Sequence, residues 1–372
     1  MHSRCNLACT YCYLYTGPDD TWRDRPSRVA RPTVRRTAER IAEHVTVHGL
    51  RAVRIDLHGG EPLLGGAEPL LELAAHLRAQ LPAGCEASLG VQTNGTLLTP
   101  ALLDALADAG FHIGLSLDGA GAELNARRVD HAGRPSWPAV RRAVELLTTR
   151  RPEAFAGILT TVDVRADPVA VYRSLRDLHP PTLDFLLPHA NWSAPPQAPP
   201  GAPPRPHGRW LCRVFDQWWH EREPAPPVGL FTEVIGLLLG RPSSSEAVGL
   251  SPVAALVVDT DGAIEQVDSL RSAYQGAAST GLDVFHHSFD EALRHPGVLA
   301  RQSGLAGLAA ACRSCALVEV CGGGNYAHRY RDRESGFVNP SVYCPDLELV
   351  IRHVADRLAA VLPPTPADSA RS

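Results

Sequence analysis

Hydrophobic positions follow two alternating periods along the first half of the chain. Residues 33–47 carry apolar side chains at helical spacing, whereas Val53, Ile55 and Leu57 alternate with polar residues as in a half-buried strand. The alternation continues, with strands predicted over 86–93, 112–117, 156–162 and 183–187 and helices over 70–81, 100–109, 137–150 and 169–178. Strands and helices in this regular order predict a parallel α/β barrel or partial barrel.

The composition changes sharply after this region. Proline dominates residues 194–206, and so much proline is incompatible with a helix or a central strand, so we predict a stiff, extended linker. A helix containing Leu211, Phe215 and Trp218 is predicted to follow. Cys212 on that helix is either a metal ligand or, as is more usual for a lone cysteine at an apolar position, a small buried hydrophobe.

Charge and hydropathy argue against a nucleic-acid-binding protein and against a membrane protein. The chain has 372 residues, 44% of them hydrophobic, and a formal net charge of −4, which gives no electrostatic basis for binding nucleic acid or an anionic membrane. No apolar run approaches the length of a membrane-spanning helix, so we expect a cytoplasmic enzyme. The chain contains no lysine, which excludes Schiff-base catalysis by that residue.

Three cysteines near the start carry the strongest chemical signal. Cys5, Cys9 and Cys12 place three thiols within eight residues. Three thiolates can hold a four-iron cluster and leave one iron open to a small molecule, whereas a closed cluster mainly carries electrons. A zinc site would need a fourth ligand, for which His2 is the only nearby candidate. Nine cysteines in a long chain without a signal peptide make a disulfide framework improbable.

The triplet, with Tyr11 directly before its last cysteine, resembles the signature of the radical S-adenosylmethionine (SAM) superfamily. The resemblance implies that the open iron is chelated by SAM and that Tyr11 lies near the adenine. Gly59, Gly60 and Glu61 directly follow a predicted strand and are similar to the family's glycine-rich element, which binds the methionyl ammonium.

Three further residues are implied as SAM contacts by the same resemblance. These are Asn94 and Ser116 at later strand ends, and Arg128 facing the methionyl carboxylate. Each has a plainer interpretation: Asn94 as a turn residue, Ser116 as a strand end without a ligand, and Arg128 as a surface arginine on a helix.

A second cysteine set lies near the other end of the chain. It comprises Cys312, Cys315, Cys321 and Cys344, with three glycines after Cys321. Four thiolates can close a cluster, and a structural zinc ribbon is the alternative. Together with the first triplet, the set resembles the SPASM extension of radical SAM peptide maturases, which implies an auxiliary 4Fe-4S cluster.

Two departures from the SPASM pattern bear on the number of clusters. Families with two auxiliary clusters have cysteines where this chain has Asn325 and, after Asp-x-Asp-Gly, Val267. We therefore predict one auxiliary cluster and about eight irons per chain; about twelve after reconstitution would contradict this. No role is predicted for Cys85.

Asp268, next to Val267, is the candidate catalytic base. It aligns with an acid that accepts a proton in the formylglycine-forming sulfatase maturases of this superfamily. A solvated turn residue is the alternative.

At a finer level, residues 2–15, 22–26 and 312–345 look like the FxsB group of SPASM maturases. That resemblance implies a carbon–carbon cyclophane crosslink in a ribosomally made precursor peptide, formed through a 5′-deoxyadenosyl radical. The partners implied are the peptide and a reductant such as flavodoxin or ferredoxin. Formylglycine or thioether formation is a rival function, and a non-catalytic iron–sulfur electron carrier or zinc-binding protein is a rival of another class.

The resemblance also predicts how the chain is organised. We expect a radical SAM core over 1–190, forming a partial (β/α)6 TIM-like barrel. This core is followed by a linker and bridging helices over 191–250, a SPASM-like domain over 251–362 and a tail over 363–372. The cluster loop of this superfamily follows a first strand, yet only four residues precede Cys5. We therefore expect that the true start lies upstream or that the chain lacks this strand.

Overall fold

Five parallel strands form the central sheet in a computed structural model that describes residues 1–222, 224–252 and 254–362. In chain order they are β1 (Ala52–Leu57), β2 (Glu86–Thr93), β3 (Phe111–Ser116), β4 (Phe155–Thr161) and β5 (Leu183–Leu186). Each strand pairs with its successor in the chain, so the sheet order is also the sequence order. This confirms the α/β half-barrel, although the described residues contribute five parallel strands to it where a six-stranded partial barrel was predicted.

A single helical turn, α1 (Tyr13–Thr16), follows the cysteine loop and packs against residues 268–272. The longer helices cover one face of the sheet and complete the core. In chain order they are α2 (Arg31–His48), α3 (Glu68–Gln80), α4 (Pro100–Asp108), α5 (Trp137–Thr149) and α6 (Pro168–Arg176). Leu70, Leu103 and Leu147 are fully buried against strand residues such as Ile113, as the period of hydrophobic positions requires. The Thr99 side chain accepts a hydrogen bond from the Leu102 backbone, which fixes the start of α4 at the predicted Thr99-Pro100 step.

The proline-rich segment leads into a pair of bridging helices. These are α7 (Pro206–Trp219) and α8 (Gly229–Leu238), and a long helix near the end of the chain packs against both. Cys212 on α7 is buried, its thiol donates to the Leu349 carbonyl at 4.0 Å, and burial raises its pKa to about 12. The structure therefore places Cys212 in the hydrophobic core, and it forms no group of three metal donors with other described residues.

The carboxyl-terminal region contains a small antiparallel sheet and short helices. The strands are β6 (Val257–Val258), β7 (Ala263–Glu265) and β8 (Ser279–Asp283); the helices are α9 (Phe289–Leu293), α10 (Pro296–Arg301), α11 (Ala310–Arg313), α12 (Val318–Cys321) and α13 (Cys344–Ala359). The predicted tail over 363–372 lies outside the described residues. No helix among the described residues combines the length and apolar character needed to span a membrane.

A buried arginine–carboxylate network, the arginine network, joins the amino-terminal loop to this small sheet. Arg25 lies 3.3 Å from Asp259 and 2.9 Å from Asp261, and it also pairs with Glu265. Arg271 donates to Asp259 and Glu265, both at 2.6 Å. The Arg25, Arg271 and Glu265 side chains are 11%, 6% and 3% exposed, so each charge depends on its partners for solvation.

Replacing Arg25 with methionine should destabilise the protein by about 3 kcal/mol, because it leaves carboxylates buried with too little positive charge. The apparent thermal midpoint should fall by about 5 °C. Arg23→Met is the matched control, since its ion pair with Asp20 spans 3.9 Å and both side chains are more than 60% exposed (64% and 62%). Equal midpoints for the two variants would contradict a structural role for the network.

Strand β1 is an edge of the sheet and borders a groove. Among the described residues no other named strand pairs with its free side; the nearest ordered contact is a parallel bridge between His2 and Gly59 just beyond its end. A cavity of about 980 Å³ lies between β1, α2 and residues 254–259. The additional strand expected before Cys5 stays a prediction.

Candidate active site

The loop that carries Cys5, Cys9 and Cys12 lies across the carboxyl edge of the parallel sheet. Backbone amides tie it to two neighbours: Gly60 and Glu61 at the end of β1 donate to the carbonyls of His2 and Arg4, both at 2.9 Å. On the other side, Ala8 donates to the Val129 carbonyl at 2.7 Å. The loop is therefore held from both sides while its three thiols remain free.

The glycine-rich element supports this loop directly. A side chain at Gly60 would place its Cβ 2.2 Å from the Arg4 carbonyl oxygen and 2.1 Å from the Tyr15 hydroxyl, so only glycine fits there. Gly59 has a φ of +134°, which also favours glycine. The close packing explains why two glycines stand at this strand end.

The burial of the triplet bears on the kind of group that it could hold. The three sulfur atoms do not all lie within 4.8 Å of one another. Tetrahedral zinc would hold its sulfur ligands about 3.8 Å apart. Burial raises the pKa of Cys5 to about 12 and also raises the pKa values of Cys9 and Cys12. Because a buried thiolate is costly, the triplet favours a positively charged iron core that neutralises it.

Glu61 joins the ends of two strands. Its buried carboxylate accepts hydrogen bonds from the Leu63 amide at 3.0 Å, the Thr93 hydroxyl at 2.7 Å and the Asn94 amide at 2.8 Å. Burial raises its carboxyl pKa, against the effect of these hydrogen bonds. The structure shows Glu61 bracing β1 against β2, and its predicted contact with SAM stays a prediction.

Tyr11, Asp118 and Arg128 form a second polar group beside the loop. The Tyr11 hydroxyl donates to Asp118 at 2.5 Å and accepts from Arg128 at 2.7 Å, and the Arg127 guanidinium lies 4.5 Å from the Tyr11 ring centroid. The interpretation of Arg128 as a surface residue on a helix is wrong, because it is 7% exposed and lies directly after a turn, outside any helix. Its Nε is buried with no hydrogen-bond acceptor among the described residues. An unpaired guanidinium donor fits a carboxylate ligand.

Asn94 and Ser116 lie at neighbouring strand ends, as predicted, and both already have protein partners. The Asn94 side chain donates to Asn6 at 2.9 Å and lies 3.7 Å from the Cys5 sulfur. The Ser116 hydroxyl accepts from Gln92 at 2.8 Å. Asn94 therefore orients the cysteine loop, and the SAM contacts implied for both residues stay predictions.

Asp268 lies beside the same loop. Its carboxylate accepts a hydrogen bond from the Tyr13 hydroxyl at 2.6 Å and lies 3.2 Å from Nε2 of His58. Burial acts to raise the Asp268 pKa, but the hydrogen bond and charge of His58 outweigh it and hold the pKa below its ordinary value. The same pair raises the His58 pKa against the opposing effect of burial. Asp268 is thus ionised, and Tyr13 and His58 hold its carboxylate in one orientation. Its side chain is 25% exposed.

Two histidines extend this group, and the sequence analysis missed them. His189 packs edge-on against Tyr13 at 4.5 Å between ring centroids, and His328 lies 5.6 Å from His189. Nδ1 of His189 and Nε2 of His328 are buried without hydrogen-bond partners among the described residues. Burial lowers the pKa of both imidazoles, so both are neutral. His189 follows β5 at the carboxyl edge, a position that could have drawn attention to it.

The second cysteine set surrounds a tight glycine turn. Gly322, Gly323 and Gly324 all have positive φ angles, and a Cβ at Gly322 would lie 1.7 Å from the Gly249 carbonyl oxygen. Arg329 donates to the carbonyls of all three glycines. Burial raises the pKa values of Cys312 and Cys344, and that of Cys321 to about 11, while the charge of Arg329 opposes this at Cys312 and Cys321.

The spacing of this set also bears on its metal. No three of Cys312, Cys315, Cys321 and Cys344 have sulfur atoms all within 4.8 Å of one another. The four sulfur atoms therefore do not form a ready tetrahedral zinc site, and the assignment of these cysteines as cluster ligands stays a prediction.

Comparison with known proteins agrees with this geometry. Residues 1–162 match the radical SAM superfamily. This matched segment, with the cysteine triplet and the glycine-rich element, is a radical SAM domain. A serine-type anaerobic sulfatase-maturating enzyme of Klebsiella aerogenes is 26% identical over 341 residues, which cover 87% of this chain and 77% of that enzyme. A cysteine-type enzyme of Clostridium perfringens (strain 13 / Type A) is 25% identical over 273 residues, 72% of each chain.

The fold of this radical SAM enzyme also resembles a solved structure along nearly its whole length. The structure of native anSMEcpe with bound AdoMet superimposes with a TM-score of 0.81 at 22% identity, covering 97% of this chain and 96% of that one. The superfamily's cofactors are SAM and a 4Fe-4S cluster. The three free thiols and the unpaired donor of Arg128 fit these two groups.

Proposed function

We propose that this radical SAM enzyme is a maturase that oxidises one side chain of a peptide substrate, starting at its β-carbon. The observation that carries the proposal is the position of Asp268: an ionised, partly exposed carboxylate beside the cluster loop, held by Tyr13 and His58. Two kinds of relative support the peptide substrate. The curated relatives are sulfatase-maturating enzymes, and anSMEcpe has been solved with bound peptides.

The chain's own residues have three tasks in this reaction. When bound, the amino-terminal cluster with SAM supplies a carbon radical that abstracts hydrogen, and an auxiliary cluster supplies an electron acceptor. Cys5, Cys9 and Cys12 would hold the first cluster, and the set from Cys312 to Cys344 the second. Asp268 accepts the proton that is released as the substrate is oxidised, and Tyr13 and His58 keep its carboxylate in place.

The neutral imidazoles of His189 and His328 contribute to substrate binding. Each has a buried nitrogen without a protein partner, so each is able to hydrogen-bond a peptide carbonyl or amide once the substrate excludes water. This arrangement would hold the β-carbon still between the radical source and Asp268.

Two products fit this common first step. Oxidation of a serine or cysteine to formylglycine is favoured by the sulfatase-maturating relatives and by the placement of Asp268. A cyclophane crosslink is favoured by the FxsB-like motifs and by Val267 and Asn325, which replace two expected cluster ligands. Oxidising serine to formylglycine or closing a carbon–carbon crosslink each removes two hydrogens, so mass alone does not separate them.

The test combines two substrates with two readouts. The reconstituted holoenzyme is incubated anaerobically with SAM, a reductant and either a serine- or cysteine-containing peptide or the small peptide encoded beside the enzyme. Formylglycine gives an aldehyde that reacts with a hydrazide, whereas a crosslink blocks fragmentation between the joined residues. Deuterium at the modified β-carbon should appear in 5′-deoxyadenosine with either product. SAM cleavage without any β-deuterium transfer would rule out the proposed first step, and a protein that never cleaves SAM would be an electron carrier or binding protein.

A further inference from the structure

Two imidazoles and a carboxylate meet outside both cysteine sets. His44 and His48 lie one turn apart on α2, and Asp290 lies in the first turn of α9. Nδ1 of His44 and Nε2 of His48 lie 2.7 and 2.9 Å from the same Asp290 oxygen, Oδ1. All three atoms lie within 4.8 Å of one another, and they form the only such group of three donors in the described part of the chain.

The surrounding contacts fix Asp290 against α2. Arg36 and Arg40 donate from α2 to the carbonyl of Val284, at 3.1 and 2.9 Å. Ser288 and Glu291 form a capping box that sets the start of α9. The backbone that carries Asp290 is therefore fixed beside α2 by contacts that do not involve the two imidazoles.

We propose that His44, His48 and Asp290 bind a divalent transition-metal ion such as zinc. Two imidazole nitrogens and one carboxylate oxygen form a common donor set for zinc, and water completes the coordination. Ligands in a tetrahedron around zinc lie about 3.3 Å apart, given bond lengths of about 2.05 Å. The two observed nitrogen–oxygen distances, 2.7 and 2.9 Å, are hydrogen-bond lengths, so each pair has to widen by only about 0.5 Å to accept the ion.

Exposure and ring geometry also suit an ion. The side chains of His44, Asp290 and His48 are 23%, 31% and 45% exposed, which gives an ion access and leaves room for water. The two rings lie 4.5 Å apart between centroids and are tilted by 50°. Each nitrogen needs only to carry its proton on the opposite side of the ring to become a ligand.

Bound metal would join α2, in the predicted radical SAM core, to α9, in the predicted SPASM-like region. His44 and Phe289 also line the groove beside β1. The ion would therefore stiffen one wall of that groove, a role separate from either cluster.

The test uses tag-free holoenzyme with its clusters loaded, because empty cysteine sites would bind zinc themselves. After equilibrium dialysis against zinc chloride, wild type should contain about one more zinc per chain than His48→Asn, at equal iron content. Added zinc should also raise the thermal midpoint of wild type and leave that of His48→Asn unchanged. His286→Asn is the matched control: it removes an imidazole 2.9 Å from Asp283, and although His287 lies 3.8 Å from the same carboxylate, the three residues do not bring their donor atoms within 4.8 Å of one another.

Asp290→Asn provides a second test if His48→Asn does not fold. It retains both imidazoles but loses the carboxylate, and its affinity for zinc should fall about tenfold or more. Equal zinc content in wild type and the site variants would mean that the three residues form hydrogen bonds only, and would overturn the proposal. An equal loss of zinc in His286→Asn would overturn it as well.

Discussion

Cys9→Ala should abolish SAM cleavage and lower the iron content from about eight to about four per chain. The backbone amides on either side of Cys9, those of Ala8 and Thr10, donate to neighbouring carbonyls and should keep the loop in place. Without Cys9 the loop has two thiols, too few to hold a cluster with one open iron. The auxiliary set lies on other elements and should keep its irons. The measurements are iron and sulfide analysis of the reconstituted protein, together with chromatographic detection of 5′-deoxyadenosine.

Cys85→Ala is the matched control for this loss. Cys85 lies before β2 and packs against the hydrophobic core, and its thiol donates to the Glu86 carbonyl at 4.0 Å. The variant should retain full iron content and full SAM cleavage. If Cys9→Ala kept all its irons, or if Cys85→Ala lost a cluster, the assignment of the triplet would be wrong.

Asp268→Asn should reduce the yield of modified peptide about 10²–10³-fold while SAM cleavage continues. Asparagine retains an oxygen that accepts the Tyr13 hydrogen bond, so the packing of the site is preserved. It cannot accept a proton at neutral pH, and the oxidation of the substrate then stalls. The readout is the ratio of modified peptide to 5′-deoxyadenosine, measured by mass spectrometry and chromatography on the same sample.

Two further variants make this experiment decisive. Tyr13→Phe removes one hydrogen bond to Asp268 but leaves the carboxylate, so its loss of product should be smaller. Asp20→Asn changes an exposed carboxylate and should behave as wild type. A parallel loss of SAM cleavage and product in Asp268→Asn would show that Asp268 supports binding or folding instead of proton transfer.

The local order of the chain made much of the fold predictable. The helix predicted over 137–150 spans Trp137–Thr149, and the strand predicted over 156–162 spans Phe155–Thr161. Both depend on periods that involve neighbouring residues only. The cysteine triplet was predictable for the same reason, since its three ligands lie on one short loop.

Contacts between distant parts of the chain were not predictable. Arg25 and Glu265 are 240 residues apart, and nothing near either residue signals that they meet. Arg128 follows a turn of ordinary polar composition, and nothing near it in the sequence indicates that it meets Tyr11 from the cysteine loop. His189 and His328 are isolated histidines whose importance emerges only when the carboxyl-terminal region packs against β5 and the loop around Tyr13.

The arginine network bears on how many SAM molecules the enzyme consumes for each peptide that it modifies. Arg25 follows the cysteine loop in the chain, and Arg271 lies in the same short helical turn as Asp268, so the carboxylates they share link the radical source to the proton acceptor. Together with the Tyr13–Asp268 hydrogen bond, these ion pairs therefore hold the cysteine loop at a fixed distance from Asp268. Loosening them would let SAM be consumed without product, so the number of SAM molecules used per modified peptide would report how well the two halves of the enzyme are aligned.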